Sequence, residues 1–236
     1  MLQSVVKLAL MNKKNLEKQV ISKQRVADHG EVYTSEREVR AMLNLVRSET
    51  ERIDSRFLEP ACGTGNFLVE VLWRKLRVVA QKYSNMQLEY ERNAVLAVSS
   101  LYGIDILSDN IQVCRDRLFE VFFRDFYYDL FEDKVKEECC RSVKYILECN
   151  IIQGDALTLK TVGESSQPIV FAEWSLVNGS FFKRRDFTFK ELLDQESMNA
   201  LPLFSDEGEK VFIPTPIKDY ELVHFLEIAN VQGQSL

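Results

Sequence analysis

Residues 56–68 constrain the fold of this 236-residue chain more than any other stretch. They begin with the apolar pair Phe57 and Leu58 and then carry two glycines one residue apart, Gly63 and Gly65. Apolar residues next recur every three or four positions, which is the spacing of one helix face. The pattern predicts a strand, a tight glycine turn and a helix over about 67–82. A ligand can approach such a turn closely, and the first N–H groups of the helix point towards it.

The string Glu-Pro-Ala-Cys-Gly-Thr-Gly-Asn-Phe-Leu, residues 59–68, closely resembles the cofactor motif of S-adenosylmethionine (SAM)-dependent adenine-N6 DNA methyltransferases. It differs from the dinucleotide fingerprint, which needs a third glycine where this chain has Leu68. A bare glycine turn is also a common packing device. The resemblance implies that the turn binds SAM, with the Gly63–Gly65 backbone at its methionine end and Phe67 at its adenine. The cofactor residues implied in this motif are Glu59, Pro60, Ala61, Cys62, Gly63, Gly65 and Phe67.

A second match to that family precedes the glycine turn. Ser35 and Glu38 have the spacing of a capping box, which predicts a loop and then a helix over about 36–48. The family has Gly-x-x-Tyr/Phe-Thr-Pro here, and this chain matches all of it except the proline, which Ser35 replaces. The resemblance implies that Tyr33 and Thr34 lie in a loop that closes over the methionine end of SAM. The alternative is a helix cap beside a core tyrosine.

Two further strands are predicted to end near an acid. The first ends in Asp105 and Ile106, and the second, with its turn, contains Asp155 and Ala156. The resemblance assigns all four residues to the cofactor, with Asp105 at the ribose hydroxyls and Asp155 at the adenine amino group. An ordinary acid at a strand end is the alternative for Asp105. The glycine motif, the first acid and the Gly-Asp-Ala-Leu string follow one another in the order of the family.

The catalytic motif of the resembled family is absent. The family ends its fourth strand with Asn/Asp-Pro-Pro-Tyr/Phe, which draws on the amino hydrogens of a flipped adenine and stacks on its ring. None of the five prolines of this chain is adjacent to another. A fourth strand is expected at about 169–171, and Glu173 and Trp174 follow it as candidates for the catalytic acceptor and the stacking ring. The alternative is that this strand end packs on the core.

Other segments are predicted from spacing alone. A hairpin turn is expected at Asn178-Gly179, followed by a basic strand whose Lys183, Arg184 and Arg185 contact phosphate or form a solvated edge. The aromatic residues of 119–131 are expected in the core. Helices are predicted over about 1–25, 90–100, 109–121, 134–148 and 217–229. The first of these has a basic face that is either solvated or contacts DNA or a partner subunit.

Composition limits the classes of function. The chain has two histidines and five cysteines without a C-x-x-C pair, so a zinc site is not expected. Its formal net charge of −6 is not typical of a protein that binds DNA alone, although local basic patches are compatible with it. No apolar run approaches the ~20 residues of a membrane span. An odd number of scattered cysteines suits the reducing cytoplasm, and a cytoplasmic protein is therefore expected.

These observations together predict an α/β protein, a Rossmann-like SAM-dependent methyltransferase domain with an N-terminal helical extension. The expected parts are the extension at 1–24, the SAM-binding domain at 25–193, and a linker with a C-terminal helix at 194–236. The resemblance implies a SAM-binding subunit of an adenine-N6 DNA methyltransferase of the restriction-modification type. A partner chain would then supply the catalytic and DNA-recognition parts. The alternative is a non-catalytic SAM-binding scaffold derived from the family.

Overall fold

A computed structural model describes residues 34–193 and 215–233 of the chain. The predicted N-terminal extension, the whole helix expected over 1–25, Tyr33 and the linker expected after residue 193 lie outside these ranges. The first described helix, α1 (Glu36–Asn44), begins after Ser35, and its capping box is confirmed: Ser35 N donates to Glu38 Oε2 (3.1 Å) and Glu38 N donates to Ser35 Oγ (3.4 Å). A separate turn, α2 (Arg47–Thr50), follows, so the helix predicted over 36–48 is interrupted.

A parallel sheet forms the centre of the described structure. Its strands lie side by side in chain order, β1 parallel to β2 and β2 parallel to β3. A short antiparallel strand, β4, lies beside β3. The bounds are β1 (Phe57–Glu59), β2 (Leu101–Asp105), β3 (Ile151–Asp155) and β4 (Lys160–Thr161). Because parallel strands need long crossovers, this order accounts for the helices between them, and the architecture is mixed α/β.

Four long helices make the two crossovers, and they match the helices predicted from apolar spacing. Two lie between β1 and β2, which explains the 42 residues that separate Gly63 from Asp105. The bounds are α3 (Asn66–Tyr83), α4 (Gln87–Ser99), α5 (Ser108–Phe122) and α6 (Glu137–Asn150). After α5 the chain continues as a π-helical segment, Phe123–Tyr128, in which Phe126 and Tyr127 are buried. The prediction that the aromatic segment belongs to the core is confirmed there, although Tyr128 remains half exposed.

The sheet is covered on both faces. Leu101 of β2 packs into the main core under the helices, whereas Tyr102 and Ile104 belong to a second cluster. Phe171 and Phe189, from the chain after β4, cover that second cluster. Successive side chains of a strand point to opposite faces, so β2 serves both layers.

The strand predicted at about 169–171 is present, but it is longer than expected and does not extend the parallel sheet. Residues 169–171 lead into a nine-residue strand, β5 (Val170–Asn178), which pairs antiparallel with β6 (Phe181–Thr188) rather than with a parallel strand of the described ranges. The predicted turn is confirmed, since Gly179 adopts a positive φ of 55° between the two strands. A tight hairpin closes a very short loop, so local pairing costs less chain entropy than addition to the parallel sheet.

The prediction of a helix over 217–229 was wrong. The chain there forms β7 (Lys218–Asp219) and β8 (Val223–His224), both antiparallel to β6, and then a 3-10 helix, Ile228–Gly233. The open edge of β6 offers backbone partners that a surface helix would not use: Ile217 N donates to Asp186 O (2.8 Å). Within the two described ranges, no helix has the length and apolar character to span a membrane, and no group of potential ligands has the arrangement of a metal site.

Candidate functional site

Each of the three parallel strands ends in an acid. Glu59 is the last residue of β1, Asp105 of β2 and Asp155 of β3. The carboxyl ends of parallel neighbours meet at one edge of a sheet, which is where ligands bind in open α/β sheets. The structure therefore brings together three of the residues predicted from the sequence. We call this place the acidic edge.

The glycine turn lies at the acidic edge and has a left-handed backbone. Gly63 and Gly65 have φ values of 52° and 85°. A Cβ on Gly65 would stand 2.5 Å from Cys114 Sγ, so only glycine fits there without displacement. α3 begins at Asn66, with Gly65 as its cap and no side-chain cap hydrogen bond. The helix start thus presents backbone donors towards the turn.

Pro60, Ala61 and Cys62 connect β1 to the glycines. Cys62 N donates to Ile104 O (2.8 Å), which ties the turn to β2. The Cys62 thiol is buried against Cys114, and the hydrogen bond between them and the burial both raise the pKa of Cys62. A neutral, buried thiol is not a nucleophile. Cys62 therefore shapes the turn and is not a reacting group.

Asp105 holds the turn in place. Its Oδ2 accepts a hydrogen bond from Gly63 N (2.9 Å), and its Oδ1 accepts from Leu107 N (2.9 Å) and Asn110 Nδ2 (3.2 Å). A carboxylate has about four acceptor positions, so one remains for a ligand hydroxyl. Ile106, the predicted neighbour, is half exposed beside it.

Asp155 caps its own turn. Its Oδ1 accepts from Leu157 N (2.9 Å) and its Oδ2 from the Thr158 hydroxyl (3.0 Å). The hydrogen bond from Leu157 N, followed by that from Thr158, lowers the pKa of Asp155, so the side chain is a carboxylate at neutral pH. Ala156 packs against the second hydrophobic cluster and leaves little bulk beside the acid. This carboxylate is thus available as an acceptor for an amino group.

Glu59 differs from the other two acids because its environment is apolar. It lines a groove of about 390 Å³ whose walls, apart from Thr34 and Glu59, are formed by apolar residues, among them Phe67. Its Oε2 is buried and has no hydrogen-bond partner among the described residues. Burial raises the pKa of Glu59 to about 8. The carboxyl is therefore mostly neutral at pH 7, and a cationic group placed beside it would favour its ionised form.

Two residues that the sequence analysis did not single out connect the site. Arg117 Nη1, on α5, donates to Thr64 O (2.7 Å), Thr64 Oγ1 (3.2 Å) and Asn66 Oδ1 (2.8 Å). Asn66 Nδ2 in turn donates to Thr34 O (3.0 Å), so the predicted loop residue Thr34 lies beside the helix start. Asn66 stood inside the recognised motif, whereas no pattern pointed to Arg117, whose role depends on how α5 packs against α3.

Glu173 and Trp174 do not lie at the acidic edge. Glu173 forms ion pairs with Arg56, which directly precedes β1, and with Arg185 (3.5 Å). These contacts lie at the amino end of β1, opposite to the glycine turn. Trp174 is buried, with the Arg184 guanidinium 5.4 Å from its ring centre. Trp174 belongs to the main hydrophobic core, which is the alternative that the sequence left open, whereas Glu173 is held in ion pairs.

The basic side chains of β6 form ion pairs with acidic side chains of the same chain. Lys183 pairs with Asp219, and Arg184 contacts both carboxylate oxygens of Asp186 at 2.7 and 2.9 Å. Arg185 pairs with Glu173. These side chains are thus partners in ion pairs, which differs from both the phosphate-contacting and the solvated arrangement expected from the sequence.

A comparison with known families gives one match. The family model described as "MmeI, DNA-methyltransferase domain" matches residues 33–163, which is more than half of the chain. This range contains the loop at Thr34, the glycine turn and all three acids of the acidic edge. No curated protein matches the chain, and no solved structure does.

Proposed function

Because the chain belongs to the family of the MmeI DNA-methyltransferase domain, a family of restriction-modification enzymes, we propose that its acidic edge binds SAM for adenine-N6 methylation of DNA. The observation that carries the proposal is the convergence of Glu59, Asp105 and Asp155 with a left-handed glycine turn. The strand order β3-β2-β1 is that of one half of a Rossmann-like sheet, in which the first turn contacts the cofactor.

The chemistry of the edge fits the groups of SAM. The cofactor carries an ammonium and a sulfonium, both cationic, and the edge supplies carboxyl groups. Glu59 offers a buried oxygen without a partner to the ammonium, and the α3 start offers N–H groups to the carboxylate of the ligand. Asp105 would accept from a ribose hydroxyl at its remaining acceptor position, and Asp155 would accept from the adenine amino group. Phe67 would pack against the ring from the wall of the groove.

Methylation needs more than the acidic edge. SAM supplies, when bound, a methyl group on a positively charged sulfur. An adenine N6 that received this methyl group would have to give up a proton, so the site would need an acceptor for that proton. The flipped base must also be stacked and held. Glu173 and Trp174 lie away from the edge, so in this proposal a partner chain supplies the acceptor and the DNA-recognition surface.

A second function, a SAM-binding scaffold without catalysis, is favoured by the same location of Glu173 and Trp174. The two functions differ in a transfer assay. Radiolabelled SAM and duplex DNA would be incubated with this chain and with the product of the neighbouring reading frame. Methylated adenine formed with both proteins, and with neither alone, supports the split enzyme. No transfer under any combination, with SAM bound, supports the scaffold.

Calorimetric titration with SAM tests the cofactor proposal. We expect saturable binding to the wild-type chain and an affinity at least about 10-fold lower, or ~1.4 kcal/mol, for Asp155→Ala. Asp133→Ala is the matched control, because Asp133 is an exposed acid in a short 3-10 helix before α6 and lies outside the acidic edge. Absence of binding to a folded wild-type chain would contradict the proposal, as would equal affinities of the two variants.

A further inference from the structure

Among the described strands, β1 has a partner along one edge only. Phe57 N donates to Ser100 O (2.9 Å), and the register places Phe57 opposite Leu101. Backbone groups of successive strand residues point to opposite edges, so the N–H and C=O of Leu58 face away from β2. Within the described ranges β1 pairs with β2 alone. Its outer edge therefore offers a donor and an acceptor to a further strand.

The surroundings of this edge are apolar. The groove that contains Glu59 runs along it, and Leu58 and Met42 on its walls are 36% and 53% exposed. On the second face of the sheet the cover formed by Phe171 and Phe189 reaches Tyr102. Leu58 is in register with Tyr102 and lies on the same face, yet it stays partly exposed. Among the residues that the structure describes, the outward backbone groups of Leu58 thus have no strand partner, and its side chain is only partly covered.

The topology indicates in which direction a strand at the free edge of β1 would run. The chain builds the sheet outward from β1 through β2 to β3. In a doubly wound sheet the next strand returns to the free edge of the first, runs parallel to it, and the ligand binds between the two halves. Here β5 and β6 form a hairpin instead. A strand parallel to β1 would have its carboxyl end beside Glu59 and the glycine turn.

We propose that the free edge of β1 receives a parallel, apolar strand from a second polypeptide, whose strand end completes the acidic edge. The proposal rests on the proposed function, since that strand would carry the acceptor for the adenine amino group. The candidates of this chain, Glu173 and Trp174, lie away from the acidic edge. A second copy of the chain does not fit, because two-fold pairing of β1 with itself is antiparallel. Such pairing would place the two glycine turns at opposite ends of the joined strands.

Amide hydrogen exchange on the purified chain tests whether the edge is free. We expect the Leu58 amide to exchange at least about 10-fold faster than the Phe57 amide, which is bonded to Ser100. Protection of Leu58 in the isolated monomer would mean that another part of this chain covers the edge. Protection that grows with concentration would mean that a second copy does. Either result overturns the proposal.

Co-expression with the product of the neighbouring reading frame tests the partner. We expect a stable complex in which Leu58 becomes protected. Leu58→Pro removes an outward N–H and no internal one, and Leu58→Lys leaves the backbone intact but charges the edge, so each should weaken the complex at least about 10-fold. Leu88→Lys, at a half-exposed leucine on α4, is the matched control and should not.

The outcomes are distinguishable from those of the cofactor proposal. No complex, or a complex that both Leu58 variants leave intact, overturns the docking proposal. SAM titration of the chain alone is the separate measurement: binding without a complex leaves the proposed function standing, whereas a folded chain that binds no SAM removes it and the present proposal with it.

Discussion

In the sheet of β5 to β8, charged side chains are matched with one another. Arg184 pairs with Asp186, and the ring of Tyr220 lies 4.4 Å from the Arg184 guanidinium. At the ends of the parallel strands the charges are not matched: no Lys or Arg of the described residues forms an ion pair with Glu59 or with the two aspartates. Unmatched acids at a strand edge are typical of a ligand site, whereas matched pairs are typical of structure. This difference supports the proposal that the ligand site lies on the parallel sheet and that the hairpin has a structural role.

The largest effect on stability is expected from breaking the matched pair in the hairpin. Asp186→Ala leaves the Arg184 guanidinium, whose side chain is 12% exposed, without its countercharge. We expect the free energy of unfolding to fall by about 3–5 kcal/mol in a denaturant titration, with SAM affinity unchanged in the fraction that remains folded. Asp219→Ala, at a more exposed pair with Lys183, should cost less than ~1 kcal/mol. Equal losses for both variants would contradict the assignment.

The pH dependence of stability distinguishes the unmatched acid. Burial raises the pKa of Glu59 from 4.5 to about 8, so the folded state binds the proton more tightly than the unfolded state. The contribution of the protonated Glu59 carboxyl to the free energy of unfolding is fully present below pH 4.5 and is lost as the pH rises through 8. Between pH 5 and 8 we expect the free energy of unfolding of the wild type to fall, relative to that of Glu59→Gln, by about 1 kcal/mol per pH unit.

Lys75 also titrates in this pH range, but it does not affect the difference between the two proteins. Burial lowers its pKa to about 7, but the residue is present in both proteins and its contribution cancels in the difference. Two stability curves that stay parallel from pH 5 to pH 8 would show that Glu59 titrates normally, and the account of its apolar groove would then be wrong.

A smaller contrast is expected between two left-handed glycines, one in each region. Gly65→Ala brings a Cβ to 2.5 Å from Cys114 Sγ at a φ of 85°, whereas a Cβ on Gly179, at a φ of 55°, meets nothing within 4 Å. We expect unfolding free energy to fall by about 2 kcal/mol or more for Gly65→Ala and by about 1 kcal/mol for Gly179→Ala. SAM affinity should fall only for Gly65→Ala. Loss of affinity in both variants would mean that the hairpin contributes to the site.

The sequence predicted the parallel half of the fold better than the rest. Helical spacing and the glycine turn are local signals, and α3, α4 and the strand ending in Asp105 were found from them. The capping box at Ser35 was found in the same way. The pairing of β5 was not predictable from a resemblance that stops near residue 163, because a strand's partner depends on which edge is open.

The candidate site was predictable only in part for the same reason. Residues at the carboxyl ends of parallel strands, such as Asp105 and Asp155, are placed by the topology of the sheet, so a pattern suffices to find them. Arg117 reaches the turn from a neighbouring helix, and this contact depends on packing that no spacing shows. Glu173 was predicted to lie at the site because a fourth strand was expected to end beside it. The strand instead forms a hairpin, and Glu173 lies at the amino end of β1.

Amide exchange measured with and without SAM tests the central claim most directly, because it reports on both regions in one experiment. We predict that SAM slows exchange in the glycine turn and at Leu107 and Leu157, whose N–H groups adjoin the acidic edge, and leaves residues 170–188 unchanged. Protection confined to residues 170–188, or no change anywhere at saturating SAM, would contradict the assignment of the cofactor to the ends of the parallel strands.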